Sequence, residues 1–174
     1  MEVALLNQNT IKIKGKSASF LVDPVLKTPK TGADAVIFLK EFEDSGQAAI
    51  RAQDARVIIK GGGEYEVGGV RISGTKVNGH FNYFFNVDNV NVFIGRTSGI
   101  EKTQEGTICN LLILNVDSDF KESMVTAYEP NVILLLGNRA EQAVNLLAKD
   151  HETSSKFVIT SDKLPTETQI VLLK

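Results

Sequence analysis

Between Asp34 and Gly46 the chain reads DAVIFLKEFEDSG, an apolar run that ends in a knot of charge. Lys40, Glu41, Glu43, Asp44 and Ser45 follow one another closely enough to share a loop. Carboxylates so placed are hard oxygen donors suited to Mg2+ or Ca2+, but Lys40 adjoins them and the spacing is not that of an EF-hand loop. A solvated loop is the simpler reading of this acidic group. Imidazoles, which serve as zinc ligands and as proton carriers near neutral pH, number only two, His80 and His151. Further along, Arg96 stands in Gly95-Arg96-Thr97-Ser98-Gly99 as a permanent cation after an apolar run.

Other reactive types read more blandly. The single cysteine, Cys109, sits against Asn110-Leu111-Leu112-Ile113-Leu114, with no neighbouring His or basic residue to lower its pKa, so it reads as a small buried hydrophobe. Gly61-Gly62-Gly63 offers backbone N–H groups to a phosphate, yet it precedes a strand rather than a helix N-terminus, which favours a tight turn. Lys12, Lys14 and Lys16 alternate with Ile11, Ile13 and Gly15, the pattern of a solvent-facing strand face. Phe81, Tyr83, Phe84 and Phe85 crowd the segment after His80 and mark a packing or partner surface. His151, just past an amphipathic stretch, reads as a solvated residue.

The elements that must carry these residues are mostly strands. Short β-branched or apolar runs separated by Gly, Asn and Asp predict strands over 3–6, 10–14, 19–22, 35–38, 56–59, 64–67 and 70–73, then 82–87, 90–94, 110–114, 132–136, 156–160 and 169–173. Gly68-Gly69 and Asp88-Asn89 lie between paired runs as two-residue hairpin turns. Helices are fewer. The apolar stripe Ala140, Ala143, Val144, Leu147 and Ala148 predicts one over 139–149, with Asn138 as N-cap answered by Glu141. Shorter helices are expected over 119–127 and from about residue 46 to Ala52. Helices interleaved between only some strands of a hairpin-rich chain indicate a mixed α/β sandwich rather than a doubly wound sheet.

At 174 residues, 43% apolar and 23% charged, the chain has the balance of one soluble domain spanning 1–174. A net charge of −2 and pI near 5.7 provide no positive field for a phosphate backbone, so nucleic acid is not an expected partner. The opening Met1-Glu2-Val3-Ala4-Leu5-Leu6-Asn7 has no basic segment and too short an apolar stretch for a signal peptide or membrane span, so a cytoplasmic location and no membrane partner are expected.

Taken in order, several segments resemble the UlaG-like "Zn-dependent hydrolase" group of the metallo-β-lactamase fold. They are Ile11-Lys12-Ile13-Lys14-Gly15-Lys16 with Phe20-Leu21-Val22-Asp23-Pro24; Ala33-Asp34-Ala35-Val36-Ile37; Gly62-Gly63-Glu64-Tyr65-Glu66-Val67-Gly68-Gly69-Val70; Gly95 to Gly99; Glu129-Pro130-Asn131-Val132-Ile133; and Lys163-Leu164-Pro165. The resemblance implies a four-layer αββα sandwich, β-rich with few helices, and an active site at one edge of the sheets. It also implies zinc, held by the loop pattern H-x-H-x-D-H. On that pattern the His positions fall on Lys40, Phe42 and Ser45, and only Asp44 is kept. The bridging carboxylate falls on Arg96 and a final His near Gly137 or Asn138.

Lysine repels a cation, phenylalanine has no donor atom and a serine hydroxyl is a poor substitute for imidazole. His80 and Asp44 remain as weak metal candidates, fewer than a zinc site requires. The expectation is therefore a non-catalytic, metal-free binding or structural module without a cofactor, forming a homo-oligomer, with Lys40, Asp44, Ser45, His80 and Arg96 lining a vestigial pocket. Asp44 is expected to cap the following helix or to pair with Lys40 or Arg96. Lys40 and Arg96, where the fold brings them together, would recognise a phosphate or carboxylate on a small anionic ligand. Two alternatives stay open. One is a divergent hydrolase acting on a small phosphorylated or carboxylated metabolite, and the other an unrelated β-sandwich interaction domain.

Overall fold

The computed structural model describes residues 1–100 and 109–174. In chain order the strands and helices are β1 (Glu2–Asn7), β2 (Thr10–Lys14), β3 (Ser19–Val22), β4 (Thr31–Gly32), β5 (Ala35–Ile37), α1 (Ser45–Ala49), β6 (Ala52–Gln53), β7 (Val57–Ile59), β8 (Gly63–Val67), β9 (Val70–Val77), β10 (His80–Val87) and β11 (Val90–Arg96). They continue as β12 (Leu111–Asn115), α2 (Ser123–Thr126), β13 (Val132–Leu136), α3 (Ala140–Leu147), β14 (His151–Ser154), β15 (Lys156–Val158) and β16 (Gln169–Leu173). Every predicted strand is present. The two-residue β4 and β6, which pair only with each other, and the edge strand β14 had no apolar run to announce them.

Two sheets hold most of the chain. The first has six strands in the order β15-β1-β2-β3-β5-β7, and the second has eight in the order β14-β16-β13-β12-β11-β10-β9-β8. Alternation decides which side chains meet between them. Ile11, Ile13, Phe20, Val22, Ala35 and Ile37 of the first sheet form one core with Tyr83, Phe85, Val92, Ile94, Leu111, Ile113, Leu134 and Leu136 of the second. Leu112, Leu114, Ile133 and Leu135 point the other way, where Val125 of α2 and Ala143, Val144 and Leu147 of α3 cover them. Val36 and Phe38 are covered by Ala48 and Ala49 of α1 on the opposite outer face. The result is the expected αββα sandwich.

Hairpins build the antiparallel half of the second sheet. Gly68-Gly69 and Asp88-Asn89 turn with positive φ at both residues, as two-residue hairpins require, and so do Asn78-Gly79 between β9 and β10. The other half is parallel: β11, β12, β13 and β16 run side by side, as do β3, β5 and β7 in the first sheet. Parallel strands end together, so these strands deliver their C-terminal residues to one edge of the sandwich.

The helices are shorter than predicted. Asn138 does not cap α3; Arg139 holds that position without a side-chain cap bond, and the expected capping box is absent. Ala148 ends α3 in the left-handed region. Cys109 is buried, and burial pushes its thiol up to about 12, which fits the structural reading. Among the described residues no helix is long and apolar enough to cross a membrane.

Candidate functional site

The C-terminal ends of β3, β5, β11, β12 and β13 bring Asp23, Leu39, Arg96, Asn115 with Asp117, and Gly137 to the same edge. Ligand sites of open α/β sheets favour this end of the strands. Arg96 is its centre. Its Nε and Nη2 donate to one oxygen of Asp23 at 3.0 and 2.6 Å, and its Nη1 donates to Asp117 Oδ2 at 3.2 Å. One guanidinium thus joins the first sheet to the second.

Each carboxylate has further donors. Asp23 Oδ1 accepts the Leu39 N–H at 2.7 Å, in a residue 4% exposed and held at φ 48°. Burial pushes the Asp23 carboxyl up, while the guanidinium and the Leu39 N–H pull it down. Partial burial also raises the Asp117 carboxyl, but there the hydrogen bonds outweigh it: the Ser98 N–H and hydroxyl (3.0 and 2.8 Å), the Thr97 hydroxyl (3.1 Å) and Arg96 hold it below the usual carboxylate range. The Thr97 hydroxyl oxygen in turn accepts the N–H groups of Asp117 and Ser118, which fixes the turn after β12.

His80 opens β10 directly across from Lys40, and the two form an isolated antiparallel bridge, reinforced by the Phe81 N–H donating to the Leu39 carbonyl at 2.8 Å. Its Nδ1 lies 3.4 Å from Ser98 Oγ. Desolvation, with the Lys40 and Arg96 charges, lowers its pKa against the pull of Asp117, so the imidazole is neutral at pH 7. Three of the predicted residues, Lys40, His80 and Arg96, therefore share the edge.

The other two do not join them through side chains. Asp44 is exposed at the start of α1, makes no cap bond, and forms no ion pair with Lys40 or Arg96, because its loop leads away into solvent. Ser45 is buried in the first turn of α1, its N–H donating to the Phe42 carbonyl at 3.1 Å. Arg96 also differs from expectation: its donors are taken by two carboxylates, which leaves Lys40 as the cation of this edge without an ion pair among the described residues. Neither Asp117 nor Ser98 is announced by its residue type, since neither is an imidazole. The signal for Asp117 was its place just beyond the buried run Leu111–Val116, where a strand hands a short acid to the sheet edge.

Gly137 falls where a final ligand was expected and turns with φ 100°; a Cβ there would stand 2.5 Å from Asn115 Oδ1. Asn115 is 1% exposed and neither end of its amide has a hydrogen-bond partner. His151, on the exposed edge strand β14, takes no part in the edge.

No protein-family model matches the chain, and no curated protein matches it. Solved structures do. A protein from Thermotoga maritima assigned as a Zn-dependent hydrolase of the metallo-β-lactamase superfamily superposes with a TM-score of 0.78 at 15% identity, over 98% of this chain and 97% of that one. Zn2+-bound PqqB from Methylobacterium extorquens gives 0.58 at 10% identity, over 91% and 100%. CmlA, a diiron β-hydroxylase from Streptomyces venezuelae, gives 0.57 at 10% identity, over 87% of this chain and 47% of CmlA. The chain has the metallo-β-lactamase fold.

That finding corrects one expectation. The absence of a cofactor does not follow for this chain, because solved proteins of the same fold are zinc-bound or diiron proteins. The side chains at the edge nevertheless do not assemble a metal site of their own: among the described residues no three His, Cys, Asp or Glu come together. The two carboxylates that do meet, Asp23 and Asp117, hold Arg96 between them.

Proposed function

We propose that this is a non-catalytic binding module on the metallo-β-lactamase fold, whose sheet-edge site takes a small anionic ligand at Lys40. One observation carries the reading: the carboxylates best placed for acid–base work, Asp23 and Asp117, are both committed to Arg96 and to backbone or hydroxyl donors. A carboxylate closed by such donors is a poor proton carrier, and it strengthens the edge instead. Lys40 has no such partner, and its backbone is bridged to that of His80, whose neutral imidazole can donate to an anion's oxygens.

A thermal-shift screen of phosphorylated and carboxylated metabolites tests it. Stabilisation that disappears in Lys40→Ala is expected, with no turnover of the stabilising compound. Metal analysis and hydrolysis assays on the purified protein are the counter-test: near-stoichiometric zinc or iron that survives dialysis, together with hydrolysis, would overturn the non-catalytic reading.

The second reading is a divergent hydrolase acting on a small phosphorylated or carboxylated substrate. It is favoured by the fold of the structural neighbours and by the 3.4 Å approach of His80 Nδ1 to Ser98 Oγ, a hydroxyl within reach of a neutral base. Turnover lost in both His80→Ala and Ser98→Ala would support it.

A further inference from the structure

At the turn joining β1 to β2 a bulge interrupts the pairing: Leu5 faces Ile11 and Asn7 faces Thr10, which leaves Leu6 without an opposite residue. Bulges at a sheet end re-aim a side chain. The turn is then locked, since Asn7 Oδ1 accepts the N–H groups of Asn9 and Thr10 at 3.2 and 3.1 Å while its Nδ2 donates to the Thr28 hydroxyl at 3.1 Å. Between this turn, the start of α3 and the end of β16 lies a cleft of about 520 Å³, in the size range of small-molecule sites.

Its walls are apolar and its rim is polar. Leu172, Leu173 and Ala140 are buried and Leu5 is half-buried, whereas Gln8 and Asn138 are exposed. Two backbone bonds tie the walls together, from the Leu5 N–H to the Ser155 carbonyl at 2.8 Å and from the Lys174 N–H to the Ser154 carbonyl at 3.1 Å, so the cleft is formed before any ligand arrives. Its charged groups, Glu141 and Lys174, pair with each other. An ion on a ligand would therefore lose water without finding a free counter-charge.

We propose that this cleft is a binding site, apart from Lys40, for a neutral aliphatic molecule that carries one hydroxyl group, of the medium-chain alcohol class. The aliphatic body gains affinity by leaving water for the leucine walls. The hydroxyl, donor and acceptor at once, matches the amide side chains of Gln8 and Asn138 at the rim. The site is independent of the anion-binding reading, since Lys40 does not line it.

The test is an NMR titration of the full chain with 1-hexanol, 1-propanol, hexanoate and hexylammonium, following the leucine methyl signals. 1-Hexanol is expected to shift the methyls of Leu5, Leu6, Leu172 and Leu173 and to bind at least roughly tenfold more tightly than 1-propanol, well within what about three buried methylenes give. It should also bind at least roughly threefold more tightly than either charged probe. Glu141→Gln, at an exposed position, frees Lys174 and should make hexanoate the tightest probe, and Lys174→Gln should do the same for hexylammonium. Lys40→Ala should change none of these affinities.

Cleft methyls that stay in place with 1-hexanol, hexanoate that outranks 1-hexanol in the unaltered chain, or a ranking that Glu141→Gln and Lys174→Gln leave unchanged would each overturn the proposal. Loss of 1-hexanol binding in Lys40→Ala would also overturn it, by placing the ligand at the anion site.

Discussion

Arg96 and Asp23 stand at the ends of different sheets, and two nitrogens of the one donate to a single oxygen of the other, at 3.0 and 2.6 Å. A buried charge so paired stabilises little relative to an apolar replacement of both partners, yet removing one partner leaves the other stranded. Arg96→Met is expected to cost about 3–5 kcal/mol in urea denaturation. Adding Asp23→Asn to it should recover part of that loss, and a double variant no better than the single one would show that the pair is not what the edge depends on.

Asn115 tests the opposite case. Both ends of its amide are buried without a partner, so Asn115→Leu, which keeps the branch at Cγ, is expected to stabilise by about 1–3 kcal/mol. The measurement is Tm by calorimetry. A lower Tm would mean the amide is satisfied in solution.

Tyr83 is fully buried between the sheets; its hydroxyl accepts the Gly61 N–H at 3.1 Å and donates to the Phe38 carbonyl at 3.2 Å. Tyr83→Phe keeps the ring and strands both backbone groups, and a loss of about 1–3 kcal/mol should follow in chemical denaturation. No change in midpoint would contradict the bridge.

Acid should weaken the edge through Asp117. Its folded pKa lies below its unfolded value, so the unfolded chain binds more protons as pH falls through the carboxylate range near about 3.9. The stability it contributes is therefore complete above that range and lost as pH drops toward the folded value. Asp23, raised by burial, works in the opposite sense, its contribution being lost as pH rises. Asp117→Asn should flatten the acid limb of stability below about pH 5, read from urea midpoints. An unchanged limb would assign the acid sensitivity to other carboxylates.

The strands were legible because their apolar runs are short, β-branched and bounded by turn residues; Val70–Val77 and His80–Val87 merely extend further than their apolar parts. What could not be read was charge placement. Asp44 sits in the segment that drew attention first, and it ends exposed, whereas Asp117, which looks like any acid after a strand, became a centre of the edge. Spacing along the chain fixes neighbours within an element, but the meeting of Asp23, Arg96 and Asp117 depends on which strands end together, a property of topology. Asn138 shows the same limit at small scale: its type suited a cap, and the turn at Gly137 placed Arg139 there instead.

Strands β14 and β15 are separated in sequence by Ser155 alone, yet β14 closes the second sheet beside β16 while β15 closes the first beside β1. Strands far along the chain therefore complete sheets begun by the first. On the ribosome neither layer can be completed until β15 and β16 have emerged, since β1 waits for β15 and β13 waits for β16. Such non-local closure predicts slow folding and an open strand edge until these strands are made, which makes the short β14–β15 corner the stitch that ends its exposure to aggregation.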